Sequence, residues 1–249
     1  MNNMIRSEFY KLFKGKSIWL VLIGLVVVSV AVPTLGSRVP GTKITGISMF
    51  QVSFNVNSYI IKFIPAFISA FFISSDFSCG VMKTIVSSGN SRSKIYASKL
   101  IVLTIPSCVI AILLPSISGA VAFIINGGGS LPDVSMVNYV LRTILLTSLY
   151  GAAYASIIVL FAMIFTDSGK SIAFLFFFFV FINIIFMLLG KLHPLFITLY
   201  NNSIFYLVNG TAMLKLTNFD LMRFIIVPIM TYAVAGSLGS MIFSRKEIK

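Results

Sequence analysis

Long apolar runs separated by short polar connections fill this chain. Six runs, at about 17–35, 59–75, 100–125, 139–166, 171–189 and 224–243, approach or exceed the ~20 residues that a helix needs to cross a bilayer. Pro33 and Gly36 close the first run. Pro106 and Pro115 lie inside the third, where they predict kinks, and Asn126 with three glycines ends it. The fifth contains four successive phenylalanines, Phe176 to Phe179, which read as a lipid-facing stretch. The pattern predicts an all-α membrane protein of six transmembrane helices, forming one permease-like domain over residues 1–249.

Two stretches do not fit the spanning pattern. Over residues 2–16, Ile5, Phe9, Leu12 and Phe13 recur at helical spacing, and Arg6, Lys11 and Lys14 fall on or beside the other face. A basic polar face opposite an aromatic apolar one predicts an interfacial helix, the alternative being a plain charged leader. The apolar run after it is long enough to span and has no small-residue cleavage site, so it reads as a retained first helix. Over 191–221, two apolar runs too short to span are interrupted by Asn201, Asn202, Asn209 and Gly210. They read equally as a re-entrant segment or as an external loop.

Composition agrees with lipid as the solvent: 58% of residues are hydrophobic and only 10% charged, too few charges to cover a soluble surface. The net charge of +13 sets orientation and meets anionic lipid; without a basic stripe outside the spans, no nucleic acid is expected as a partner. With both ends in the cytoplasm, twelve Lys and Arg fall on the inner side. The outer side takes seven: Arg38, Lys43, Lys62, Arg142, Lys191, Lys215 and Arg223. Lys62 is placed near the outer end of the second span. Cys79 and Cys108 fall in a loop and a span, so no disulfide is expected.

Catalytic and metal-binding patterns are missing. There is a single histidine, His193, and the six acids, Glu8, Asp76, Asp133, Asp167, Asp220 and Glu247, fall at ends or in loops. A proton- or sodium-coupled carrier places an ionisable group at membrane depth, so another energy source is expected. Ser168-Gly169-Lys170-Ser171 resembles the end of a phosphate loop, but Ile164 stands where the motif needs glycine. Gly15-Lys16-Ser17 fails likewise, with Tyr10 at that place. The chain is therefore expected to bind no ATP and to need no cofactor of its own.

The polar stretch 74–99 is the most informative. Asp76 is placed to cap a short helix over about 80–88, with Val81, Ile85 and Val86 on its apolar face. Gly89 then marks a turn, and Arg92, Lys94 and Lys99 lead into the third span. Such a helix is either a solvated connector or a docking element for a cytoplasmic partner.

These residues resemble the membrane subunits of ABC type-2 exporters. Glu8-Phe9-Tyr10-Lys11, within the stretch that begins at Ile5, is similar to that family's E-F-x-K interfacial helix. Asp76, Gly80, Ser91, Arg92 and Lys99 follow its loop pattern of an acid, a glycine four residues on, a short helix, then Ser-Arg and a lysine. Asp stands where Glu is common, and Asn90 where Pro is frequent. The resemblance implies a multi-pass protein of a bacterial plasma membrane, with both termini cytoplasmic and surrounded by membrane lipids. It implies two partners, a second permease and cytoplasmic ATPase subunits that hold the ATP. Asp76, Gly80, Val81, Ile85, Ser91 and Arg92 are the expected ATPase-coupling residues, and Ile5, Glu8, Phe9, Leu12 and Phe13 the interfacial helix. Size and style are similar to permeases that export, or give immunity to, lantibiotics and other antimicrobial or cytolytic peptides. The other classes are a channel and a structural or insertion-helper protein with no ATPase partner; co-purification with an ATPase separates the last from an exporter.

Overall fold

The computed structural model describes residues 2–38, 44–131 and 134–246; Lys43, Asp133 and Glu247, assigned above to loops or ends, lie outside them, as does Lys249, one of the twelve inner Lys and Arg. Among the described residues all regular structure is helical: α1 (Asn2–Lys14), α2 (Lys16–Gly36), α3 (Gly46–Ser78), α4 (Val81–Ser87), α5 (Arg92–Asn126), α6 (Met136–Phe165), α7 (Ser168–Leu192), α8 (Pro194–Asn201), α9 (Ile204–Leu207) with a 3-10 turn (Val208–Gly210), and α10 (Asn218–Arg245). Six of these, α2, α3, α5, α6, α7 and α10, are long and apolar enough to cross a membrane. The chain is an all-α membrane protein with six candidate spans.

The spans alternate in direction. At one end, α1 meets the connection between α3 and α5, and Lys246 after α10 reaches the last turn of α6 at the Met163 and Ile164 carbonyls. At the opposite end, the Gly46 amide donates to the Gly127 carbonyl at 2.9 Å, and Tyr139 Oη donates to the Ala212 carbonyl at 2.8 Å. Both described termini therefore lie at one end of the bundle.

Two helices begin well before the apolar pattern. α3 starts at Gly46, inside the polar connection between the first and second apolar runs, because its polar side chains are satisfied across helices. Ser53 pairs with Ser118 at 2.6 Å, and Asn57 Nδ2 donates to the Ala111 carbonyl at 2.7 Å. Small residues let the backbones approach closely there, as packing inside lipid requires: a Cβ on Gly46 would sit 2.7 Å from Phe123 Cβ. α5 starts at Arg92 rather than near Leu100, which draws Lys99 into the helix, with Pro106 and Pro115 inside the same continuous element.

Lys62 also moves. In α3 it stands sixteen residues from either end, at the middle of a helix that extends well beyond the apolar run on its outer side. The buried core is formed chiefly by α3, α5 and α6, whereas α7 is peripheral. Of the four successive phenylalanines in α7, Phe176 and Phe177 face outward, while Phe179 is buried against Tyr154.

Within 191–221 the second apolar run packs on the bundle. Ile204, Leu207 and Val208 are buried, and the Ile204 carbonyl accepts from Tyr154 Oη at 3.2 Å. Tyr139 and Tyr154 are separated by fifteen residues of α6, about 22 Å of helix. The segment therefore reaches deep beside α6 at Ile204 and is back at its end by Ala212.

Candidate functional site

Charged side chains from three helices converge under the short helix α4. Lys99 of α5 is wholly buried and donates to Glu8 of α1 at 2.8 Å and to Asp76 of α3. Asp76, 1% exposed, also receives Lys11 of α1. Two lysines and two acids thus form a formally neutral cluster, closed by the Lys11 and Lys99 ammoniums beside the Phe72 ring at 4.5 and 5.1 Å. Glu8 Oε2 is buried without a hydrogen-bond partner. Taking ions out of water costs several kcal/mol each, which only close pairing offsets. The cluster therefore pins α1, α3 and α5 in one relative position.

Local sequence explains the convergence. Glu8 and Lys11 are one helical turn apart, so both point from α1 into the same gap. Ile5, Phe9 and Leu12 continue that face and pack on the bundle core, while Phe13 remains exposed beside Trp19. The apolar face of α1 thus lies largely on the protein's own helices rather than on lipid. Asp76 sits in the last turn of α3 and does not cap α4, as the sequence suggested, because its carboxylate is taken by the two lysines.

Gly80 occupies the N-cap position of α4 with φ +69°, and Gly89 follows the helix with φ +84°. Left-handed backbone of this kind favours glycine, and the pair turns the chain sharply out of α3 and back into α5. Met82 is buried, and Ile85 and Val86 are half-buried against the same core. The free face of α4 consists of Val81, Lys83, Thr84, Ser87 and Ser88. Ile85, expected on the docking face, turns inward, as does Met82, because the base of the bundle offers an apolar seat.

Arg92 also points inward. It donates to the Ser244 carbonyl at 3.2 Å and to the Lys246 carbonyl, tying the start of α5 to the end of α10. Lys246 in turn donates to the Met163 and Ile164 carbonyls at 2.7 and 2.6 Å. Partial burial there holds its ammonium below the ordinary lysine value. Ser91 is exposed at the N-cap of α5. Both thiols, Cys79 and Cys108, are free.

Sequence reasoning singled out Glu8, Asp76 and Arg92 but missed that Lys11 and Lys99 complete the cluster. A signal was present: Glu8 and Lys11 share a helix face, and an acid twenty-three residues before a lysine brackets a short helix. A family model described as ABC-2 family transporter protein matches residues 4–183, from α1 into α7. The chain belongs to the ABC-2 transporter family. Comparison with curated proteins gives no match. In an ABC-2 transporter this chain is the membrane-embedded subunit, and the matched residues contain the whole charge cluster and α4.

Proposed function

We propose that this chain is the permease of an ATP-driven exporter that works with cytoplasmic ATPase subunits and with a second permease in a bacterial plasma membrane. ATP would bind only on the partner, and the termini and α4 would face the cytoplasm. The substrates are amphipathic or hydrophobic, antimicrobial or cytolytic peptides being the class that size and style favour. The supporting observation is the mounting of α4. Its inner face is fixed on the bundle, its outer face is free, and the buried cluster beneath it joins α1, α3 and α5. An ATPase pressing on α4 would then move three helices together rather than bend a loop.

Lysine placement supports the orientation. With both ends in the cytoplasm, twelve Lys and Arg fall on the inner side and seven on the outer. The test is co-expression with an ABC-type ATPase from the same source, pull-down through this chain, and ATPase assay with candidate peptides. Val81→Asp, on the free face, is expected to lower ATPase capture by roughly 10-fold while the permease still accumulates. Full capture and full transport by that variant would remove α4 as the docking element. Absence of any ATPase from the pull-down would favour the insertion-helper class.

A further inference from the structure

Among the described residues, Lys62 is the one lysine or arginine at the middle of a candidate spanning helix. It lies sixteen residues from each end of α3, about 24 Å along the helix, and is 6% exposed. Among the described residues it has no ion pair and no hydrogen bond; its ammonium meets only two ring faces, Tyr154 at 5.9 Å and Tyr59 at 6.0 Å. Ring faces offset a small part of the cost of withdrawing an ammonium from water. An ionisable group at membrane depth is ordinarily paired or functional.

Among the described residues no acid is placed to supply the counter-charge. Glu8 and Asp76 are bound to Lys99 and Lys11. Asp167 caps α7, and Asp220 is in the first turn of α10. A second copy of the same chain would bring these four acids to the same ends of its helices.

The neighbourhood adds an independent sign. Tyr59, whose ring flanks Lys62, is 64% exposed, and Asn55, one turn before it, is exposed as well. Polar side chains in the middle of a span are poorly suited to lipid. On the buried side, Tyr150 lies one turn from Tyr154 on α6, and its hydroxyl has no hydrogen-bond partner. A ligand entering along the exposed Asn55–Tyr59 face would reach Lys62 at its inner rim.

We propose that Lys62, between Tyr59 and Tyr154, is an anion-recognition site on the middle of α3 that binds the carboxylate of an amphipathic ligand. This deepens the exporter reading, on which it rests for the ligand's role as substrate, by assigning that substrate a negative group alongside its apolar body. The carboxylate is either that of a single-chain lipid or the C-terminus of a peptide.

The test is direct binding to the purified full-length chain in nanodiscs of zwitterionic lipid, with no ATPase present, so that failure of the exporter reading leaves it intact. Two probe pairs are used: a fluorescent stearic acid with its methyl ester, and a labelled amphipathic peptide as free acid with its C-terminal amide. At least one acid is expected to bind 10-fold or more tightly than its neutral counterpart, and the pair that shows this identifies the source. Lys62→Met should bring that acid to the affinity of the neutral probe without changing the latter, and Lys62→Arg should retain the preference. Lys62→Gln replaces the methionine variant if that does not accumulate. Equal affinities within both pairs for the wild-type chain, or a preference that survives loss of the lysine, would overturn the site.

Discussion

Lys99 on α5 and Glu8 on α1 are separated by ninety-one residues in the chain and by 2.8 Å in space. Their contact is buried, and Asp76 on α3 shares the same ammonium. Removing one member of such a group leaves an uncompensated buried charge, which typically costs about 3–5 kcal/mol. Lys99→Met should therefore lower the yield and thermal stability of the detergent-solubilised chain sharply. Restoring neutrality with Glu8→Gln on that background, which leaves Asp76 paired with Lys11, should recover part of the loss. If the double variant is no better than Lys99→Met alone, the charges act independently and the cluster is not a unit.

The two faces of α4 should respond differently. Met82→Ala empties a buried seat and is expected to destabilise the chain by about 2–5 kcal/mol, seen as a lower melting temperature with or without an ATPase. Thr84→Asp on the free face should leave the melting temperature within about 0.5 kcal/mol equivalent and act only on ATPase capture. Equal melting temperatures for the two variants would contradict the inward packing of Met82.

Gly151 lies at a close crossing of α6 and α5. A Cβ there would lie 2.9 Å from the Ser107 carbonyl oxygen and 3.1 Å from Cys108 Cα, both backbone atoms that cannot swing away. Gly151→Ala should overpack the crossing and cost on the order of 1–3 kcal/mol. An unchanged melting temperature would show that the helices separate without penalty.

Topology gives a further expectation. Arg92 reaches the carbonyls of Ser244 and Lys246, whereas Gly46 and Gly127 meet at the opposite end. Reporters fused after Lys249 and inserted at Gly128 should report opposite sides of the membrane, the C-terminal one cytoplasmic. The same side for both would contradict the six-span alternation.

Nucleotide should not recognise this chain. The Asp167 carboxylate caps α7 by accepting from the Lys170 amide at 2.9 Å, so the Gly-Lys-Ser tripeptide is simply the start of a helix. Lys170→Ala should leave nucleotide affinity of the assembled complex within experimental error in an equilibrium binding assay. A large loss would identify a phosphate site that the helix start conceals.

Sequence by itself determined the spans' number, the short helix between α3 and α5, and the family, because apolar runs of spanning length and a charged motif at fixed spacing are local properties. The E-F-x-K pair and the Asp76–Lys99 spacing were legible as residues, and their meaning was not. That Glu8 and Lys11 turn toward Asp76 and Lys99, rather than toward water, depends on how α1 lies across α3 and α5. Only the tertiary structure decided which side of α4 is free, since Met82, Ile85 and Val81 are all apolar and sorting them requires the position of the bundle base. It also decided where the spans begin: Ser53 and Asn57 read as loop until Ser118 and the Ala111 carbonyl supply their partners. Lys62 shows the same limit. Its charge near a polar stretch suggested a membrane boundary, and the satisfied polar residues preceding it extended α3 until that boundary became the middle of the helix.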